Sequence, residues 1–99
     1  MSLIVRFRRL ARREYDDAVD WYESQGSGLG MRFFDAVGQT LDEISDHPKR
    51  FPVAWKAVRE ASIPGWPHNV YYEVSDDHVL VIALYHHSRD PAIWQKRIW

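Results

Sequence analysis

Two apolar stripes with helical spacing, joined by a very short turn, constrain this chain more than any other feature. Ala11, Tyr15, Ala18 and Tyr22 recur at helical intervals, with Leu10 and Val19 widening the stripe, and predict a helix from Arg9 to about Ser24. Gly30, Phe34, Val37, Leu41 and Ile44 repeat the pattern and predict a second helix from about Leu29 to His47, stopped by Pro48. Between them lies only the turn cluster Gln25-Gly26-Ser27-Gly28, with Ser27 the expected N-cap because its hydroxyl can accept a first-turn N–H. Helices joined so closely must form an antiparallel hairpin. Each has one apolar face, so a further layer must cover it.

The rest of the chain supplies that layer. Leu3 to Phe7 is a short apolar run that reads as a strand. Val53 to Ile63 leans β with mixed polarity, and Pro64-Gly65-Trp66-Pro67 breaks it. Asn69 to Val74 alternates, Ser75-Asp76-Asp77-His78 turns, and Val79 to His86 is apolar enough for an interior strand buried on both faces. Pairing across that turn sets Val74 opposite Val79, Tyr72 opposite Val81 and Val70 opposite Ala83. Pro91 to Trp99 is expected to form a short C-terminal helix with Pro91 in its first position. The expected fold is α+β: an N-terminal strand, an antiparallel helical hairpin, then a mostly antiparallel sheet, in the order β-α-α-β-β-β.

Ninety-nine residues make one domain, 1–99, with a modest core. The absence of Cys excludes a disulfide scaffold, a thiol nucleophile and Cys-ligated metal sites. The longest apolar run, Val79 to Tyr85, is too short to span a membrane, and the N-terminal arginines follow rather than precede their apolar stretch, unlike a secretory signal. The expected compartment is the cytoplasm. Neither a Gly-rich phosphate loop nor a dinucleotide fingerprint is present, because Gly26, Gly28 and Gly30 follow a helix. No Ser/His/Asp set has the context of a triad. The expectation is therefore no cofactor and no metal.

Charge is segregated. Arg6, Arg8, Arg9, Arg12 and Arg13 stand without an acid in residues 1–13, whereas residues 14–47 are strongly acidic, and the net charge is −1. That total does not support bulk attraction to nucleic acid. The arginines oppose the dipole at the start of the first helix, and Asp42, Glu43 and Asp46 oppose it at the end of the second. An antiparallel hairpin can pair the two clusters, helped by Arg12–Asp16 and Arg13–Asp17 contacts. The alternative is a basic surface for a phosphate or an acidic partner. His47 suits the negative end of the second helix and reads as structural.

The segment His86-His87-Ser88-Arg89-Asp90-Pro91 ends the interior strand, where function often lies. A ribonuclease that uses the RNA 2′-hydroxyl needs a base, a cation for the phosphate and an acid for the leaving oxygen. His86 or His87 with Arg89 and Arg59 provides those residue types. Adjacent strand residues point to opposite faces, so the two histidines neither act together nor share a metal. The structural alternatives are a His packed in the core and an Arg89–Asp90 loop ion pair. Trp66, Trp94 and Trp99 offer either base stacking or packing.

These pieces resemble the RelE/ParE superfamily of bacterial type II toxins, and especially its plasmid stabilisation branch. The resemblance rests on Ala18-Val19-Asp20-Trp21-Tyr22-Glu23, Gly28-Leu29-Gly30-Met31-Arg32-Phe33, Ile44-Ser45-Asp46-His47-Pro48 with Phe51-Pro52, and Val58-Arg59. It continues through Gly65-Trp66-Pro67, Val70-Tyr71-Tyr72-Glu73-Val74 and His86 to Trp94. It implies a β-α-α-β-β-β toxin neutralised by a cognate antitoxin, as a homodimer or a hetero-oligomer with it. Two activities occur in the superfamily: ParE-like inhibition of DNA gyrase by protein contact, and RelE-like cleavage of mRNA on the ribosome. RelE-like nucleases carry several basic residues on the middle strands and a Tyr or His near the C-terminus. Here the middle strands offer Lys56 and Arg59, and the late aromatic is Trp94, whose indole does not titrate. That favours the ParE-like activity, with Arg6, Arg8, Arg9, Arg12, Arg13, Trp94 and Arg97 as partner-binding residues.

Overall fold

The first turn of the hairpin shows how local chemistry sets the architecture. In the computed structural model, which describes residues 2–97, strand β1 (Ile4–Phe7) leads into helices α1 (Arg9–Gln25) and α2 (Leu29–Asp46). Ser27 does not cap α2. Gly28 takes the N-cap position in the left-handed region (φ 84°), and Glu23, in the last turn of α1, accepts the Gly28 and Gly30 N–H groups at 3.0 Å each. A carboxylate satisfies donors that a helix start leaves unpaired and suits its positive end. Gly30 then lets the helices close: a Cβ there would stand 2.6 Å from the Val19 carbonyl oxygen and 2.9 Å from Glu23 Cβ.

The sheet has five strands in the order β1-β5-β4-β3-β2, with β1 parallel to β5 and every other pair antiparallel. The stretch from Val53 to Ile63 is two strands, not one. β2 (Val53–Trp55) and β3 (Val58–Ser62) form a hairpin that turns at Lys56, whose φ of 53° is left-handed. β4 (His68–Val74) and β5 (His78–His86) pair as expected from Val74–Val79 to Tyr72–Val81, and then the register slips. Tyr71 faces Ala83 and Val70 faces Leu84, so the expected Val70–Ala83 pair does not form and Ile82 is an extra residue in β5.

That bulge reverses which side of the sheet later residues face. Val79, Val81 and Leu84 join the main core under the hairpin with Ala61, Ile63, Val70, Tyr72, Phe33 and Tyr15. Ala83 and Tyr85 turn to the other face, where they pack with Val58, Tyr71 and Trp94 in a second, smaller core. Helix α3 (Ala92–Gln95) covers that cluster. Pro91 is its N-cap rather than its first residue, Asp90 accepts the Ala92 N–H at 2.9 Å, and the helix stops at Gln95 with Lys96 and Arg97 in a turn, short of the expected run to Trp99, which itself lies outside the described residues.

The charge clusters of the hairpin do not pair with each other. Among the described residues no ion pair joins Arg8, Arg9, Arg12 or Arg13 to Asp42, Glu43 or Asp46. The last turn of α2 lies against the start of β1 instead, where Ser45 exchanges hydrogen bonds with Leu3 and Asp46 accepts from Ser2. Arg12 does pair with Asp16 at 3.2 Å, whereas the Arg13–Asp17 pair does not form. His47 is the C-cap of α2.

Two glycines of α2 separate close packing from helix propensity. Gly30→Ala is expected to cost about 1–3 kcal/mol because the added methyl meets backbone. Gly38→Ala, where nothing lies within 4 Å of an added Cβ, is expected to gain about 0.5–1 kcal/mol. Urea denaturation of both variants checks this, and shifts of the same sign would contradict the hairpin geometry.

Candidate functional site

The end of β5, the start of β4 and the second half of α1 enclose a groove. One part is a cavity of about 540 Å³ lined by Ala18, Trp21, Tyr22, Trp66, Pro67, His68 and His86. A second part of about 330 Å³ shares several of these walls and adds Glu14, Asp17, Leu84 and Arg89. Trp21 is 58% exposed at the mouth. The lining is mainly aromatic, and its charged members are Glu14, Asp17 and Arg89.

His86, the last residue of β5, reaches this groove because of the bulge. An unbroken ladder would set Tyr85 opposite His68; the slipped register sets His86 there, with ring centroids 5.2 Å apart. The His86 Nδ1 accepts the Ser88 N–H at 3.1 Å and lies 2.8 Å from Ser88 Oγ. This hydrogen bond assigns the proton of the neutral ring to Nε2. His87 follows the strand in a turn, so the two rings do not point to opposite faces as expected: its exposed ring stands edge-on to that of His86 with centroids 6.4 Å apart, and its N–H donates to the Pro67 carbonyl at 2.9 Å. Arg89 lies over the Tyr85 ring at 4.5 Å. The Arg89–Asp90 ion pair does not form among the described residues.

The other expected site residues are elsewhere. Arg59 pairs with Tyr72 in the ladder and donates to the Phe51 and Lys49 carbonyls at 2.6 and 3.3 Å. Tyr72 is four residues from His68 along β4, roughly 13 Å away, so Arg59 does not join His86 and Arg89. Trp94 is buried and stacks on Tyr71 at 4.3 Å. Arg97 is bound internally: it holds Glu14 by two contacts of 2.9 and 3.1 Å and donates to the Ile82 carbonyl at 3.0 Å. Glu14 also accepts the Leu84 N–H at 3.2 Å. Together the pair satisfies the edge of β5 beyond the end of β1. Arg6, Arg8, Arg9, Arg12 and Arg13 are exposed around the start of α1, and Arg12 lies over the Phe7 and Tyr15 rings.

His68 is the residue that sequence reasoning missed. It is 9% exposed, packs edge-on against Tyr22 and Phe33, and its buried Nδ1 has no hydrogen-bond partner among the described residues. Burial, and then the neighbouring His86 and His87, pull its pKa down to about 4. The ring is neutral at pH 7, and burial raises the Tyr22 phenol as well. Neither group is poised for proton transfer near neutrality. No three His, Asp or Glu side chains among the described residues are grouped to hold a metal ion.

The depressed His68 pKa has a defined sign in stability. The unfolded chain takes up this proton near pH 6.5 and the folded chain only near 4, so the contribution is present above 6.5 and lost as pH falls toward 4. Relative to His68→Phe, the wild type is expected to lose up to about 3 kcal/mol between pH 7 and 4. Chemical denaturation of both proteins across that range checks this; parallel curves would contradict it.

Comparison with known proteins agrees with this architecture. The family described as ParE toxin of type II toxin-antitoxin system, parDE, matches residues 5–91. No curated protein sequence matches significantly. Among solved structures, the chromosomal ParDE system from P. aeruginosa superposes with a TM-score of 0.68 at 13% identity, covering 86% of this chain and 96% of that one. The RelBE2 toxin-antitoxin complex from Mycobacterium tuberculosis gives 0.63 at 16%, covering 87% and 99%. A mutant of the E. coli toxin RelE in the free state gives 0.60 at 16%, covering the whole of both chains. The structural likenesses carry the fold; the family match spans all but the ends of the sequence, and the chain belongs to the ParE toxins of type II toxin-antitoxin systems.

Proposed function

We propose that this toxin is neutralised by a cognate antitoxin and arrests DNA gyrase by protein–protein contact through the groove between α1 and the end of β5. The dispersal of the cations carries the reading. Transition-state stabilisation at a phosphate needs donors fixed around one point. Arg59 is committed to backbone carbonyls and Arg97 to Glu14, which leaves Arg89 beside Asp17 in an aromatic groove. An apolar groove with an exposed Trp at its mouth suits a protein anchor better than an RNA backbone. The exposed arginines Arg6, Arg8, Arg9, Arg12 and Arg13 suit an acidic segment of the antitoxin beside edge strand β1, which supports β-augmentation there.

The test is a short pulse of expression in cells carrying a DNA-damage reporter, with primer extension on cellular mRNA. Wild type is expected to induce the reporter and leave mRNA intact. Trp21→Asp is expected to reduce induction at least about 10-fold, the loss of one central aromatic anchor, and Arg89→Ala to change it little. Codon-phased mRNA cuts that vanish in Arg89→Ala would overturn the proposal in favour of ribosome-dependent cleavage.

A further inference from the structure

The larger part of the groove is a cage of rings. Tyr22 stands nearly perpendicular to Trp21 and to Trp66, with centroids 5.0 and 4.8 Å away, and His68 meets it at 5.8 Å. All of them line one cavity. Folding accounts for Tyr22, Trp66 and His68, which pack on Phe33 in the core. Trp21 is different. It stays 58% exposed, so most of its ring faces water and adds little to stability.

The charge at the mouth has one sign. Asp17 lies one helical turn before Trp21, and residues at that spacing are neighbours on a helix surface. Asp17 and Asp20 are exposed and in no ion pair among the described residues. The other acids of α1 are occupied: Asp16 by Arg12, Glu14 by Arg97, and Glu23 by the Gly28 and Gly30 N–H groups. Arg89 is the one Arg or Lys lining either part of the groove, and its guanidinium lies over the Tyr85 ring. His68 is neutral at pH 7 and brings no opposing charge into the cage.

These walls discriminate between anchors. An anionic side chain would have to pass Asp17. An apolar one would cover Asp17 and leave its carboxylate without a partner, at a desolvation cost. A cation meets both features, because an indole face attracts it and the carboxylate pairs with it. Guanidinium suits the site better than ammonium, since it is planar, stacks on aromatic faces and is more weakly hydrated.

We propose that the groove receives an arginine side chain of the target protein, with its guanidinium on the Trp21 indole and paired to the Asp17 carboxylate. The inference rests on the reading above that this groove is the surface that engages gyrase, and it names the chemistry of the anchor.

The groove is first probed without the target. The toxin is titrated with the N-acetyl methylamides of arginine, phenylalanine and glutamate, and the indole N–H signals of Trp21 and Trp66 are followed by NMR. The arginine probe is expected to shift them saturably in the millimolar range, at least about 5-fold more tightly than the other two. Trp21→Leu keeps an apolar side chain but no ring face, and is expected to weaken the arginine probe about 5- to 30-fold, read on Trp66. Trp21→Phe retains a face and is expected to weaken it only about 2- to 3-fold. Asp17→Asn is expected to weaken it about 3-fold. Both positions are exposed, so these changes leave the core intact. The toxin concentration that stops gyrase supercoiling should rise more for Trp21→Leu than for Trp21→Phe, and should rise for Asp17→Asn. Tighter binding of the phenylalanine or glutamate probe overturns the inference, as does an arginine shift indifferent to Trp21→Leu and Asp17→Asn, or no saturable shift with any probe. Wild-type gyrase inhibition by Trp21→Leu also overturns it, while Trp21→Asp still decides whether the groove is used at all. If wild type itself leaves gyrase active, the functional reading fails and the titrations still decide what the groove takes.

Discussion

One extra residue in β5 governs the layout of this molecule. Before Ile82 the strand presents Val79 and Val81 to the hairpin; after it, Leu84 and His86 take that side and Ala83 and Tyr85 the other. The switch creates the second core under α3 and brings His86 into contact with His68. It coincides with the end of β1, where β5 loses its parallel neighbour. There the Val81 carbonyl accepts from Arg8, the Ile82 carbonyl from Arg97, and the Leu84 N–H donates to Glu14. A half-buried ion pair takes the place of the missing strand, which is why Arg97 is structural. Removing one partner from such a pair leaves the other charged and poorly solvated.

The hairpin answers a different constraint. Seventeen- and eighteen-residue helices joined by three residues need close approach at the turn and partners for the first N–H groups of α2. Gly30 supplies the first and Glu23 the second. With the turn locked, the aromatic row Phe7, Tyr15 and Phe34 runs along one side of the hairpin, and Tyr22, Phe33 and Trp66 fill the other end beside His68. The groove is thus walled by residues whose main task is packing, and it follows that its interior is apolar.

Much of this was legible in the sequence. The two stripes gave both helices to within a residue or two, and the alternation of Val70, Tyr72 and Val74 gave β4 and its first pairs with β5. The bulge was not legible, because Leu80, Ile82 and Leu84 are apolar on either register and nothing in the local pattern marks the slip. That omission hid His68, one position outside the strand's recognised alternation and opposite Tyr85 in an unbroken ladder. The hairpin charges misled for another reason: matching clusters in sequence do not specify that long, exposed side chains meet, and the end of α2 instead bonds to Leu3 and Ser2. Glu14 and Arg97 are 83 residues apart and pair only through the end of β5.

The proposed role of the aromatic groove is inhibition of gyrase by contact, as opposed to cleavage of a phosphodiester. Purified toxin titrated against purified gyrase, with DNA supercoiling as the readout, addresses that most directly. The account predicts that supercoiling stops at near-stoichiometric wild-type toxin and continues with Trp21→Asp. Undiminished supercoiling under a several-fold excess of folded wild-type toxin, with cleavage of ribosome-bound mRNA by the same preparation, would contradict it.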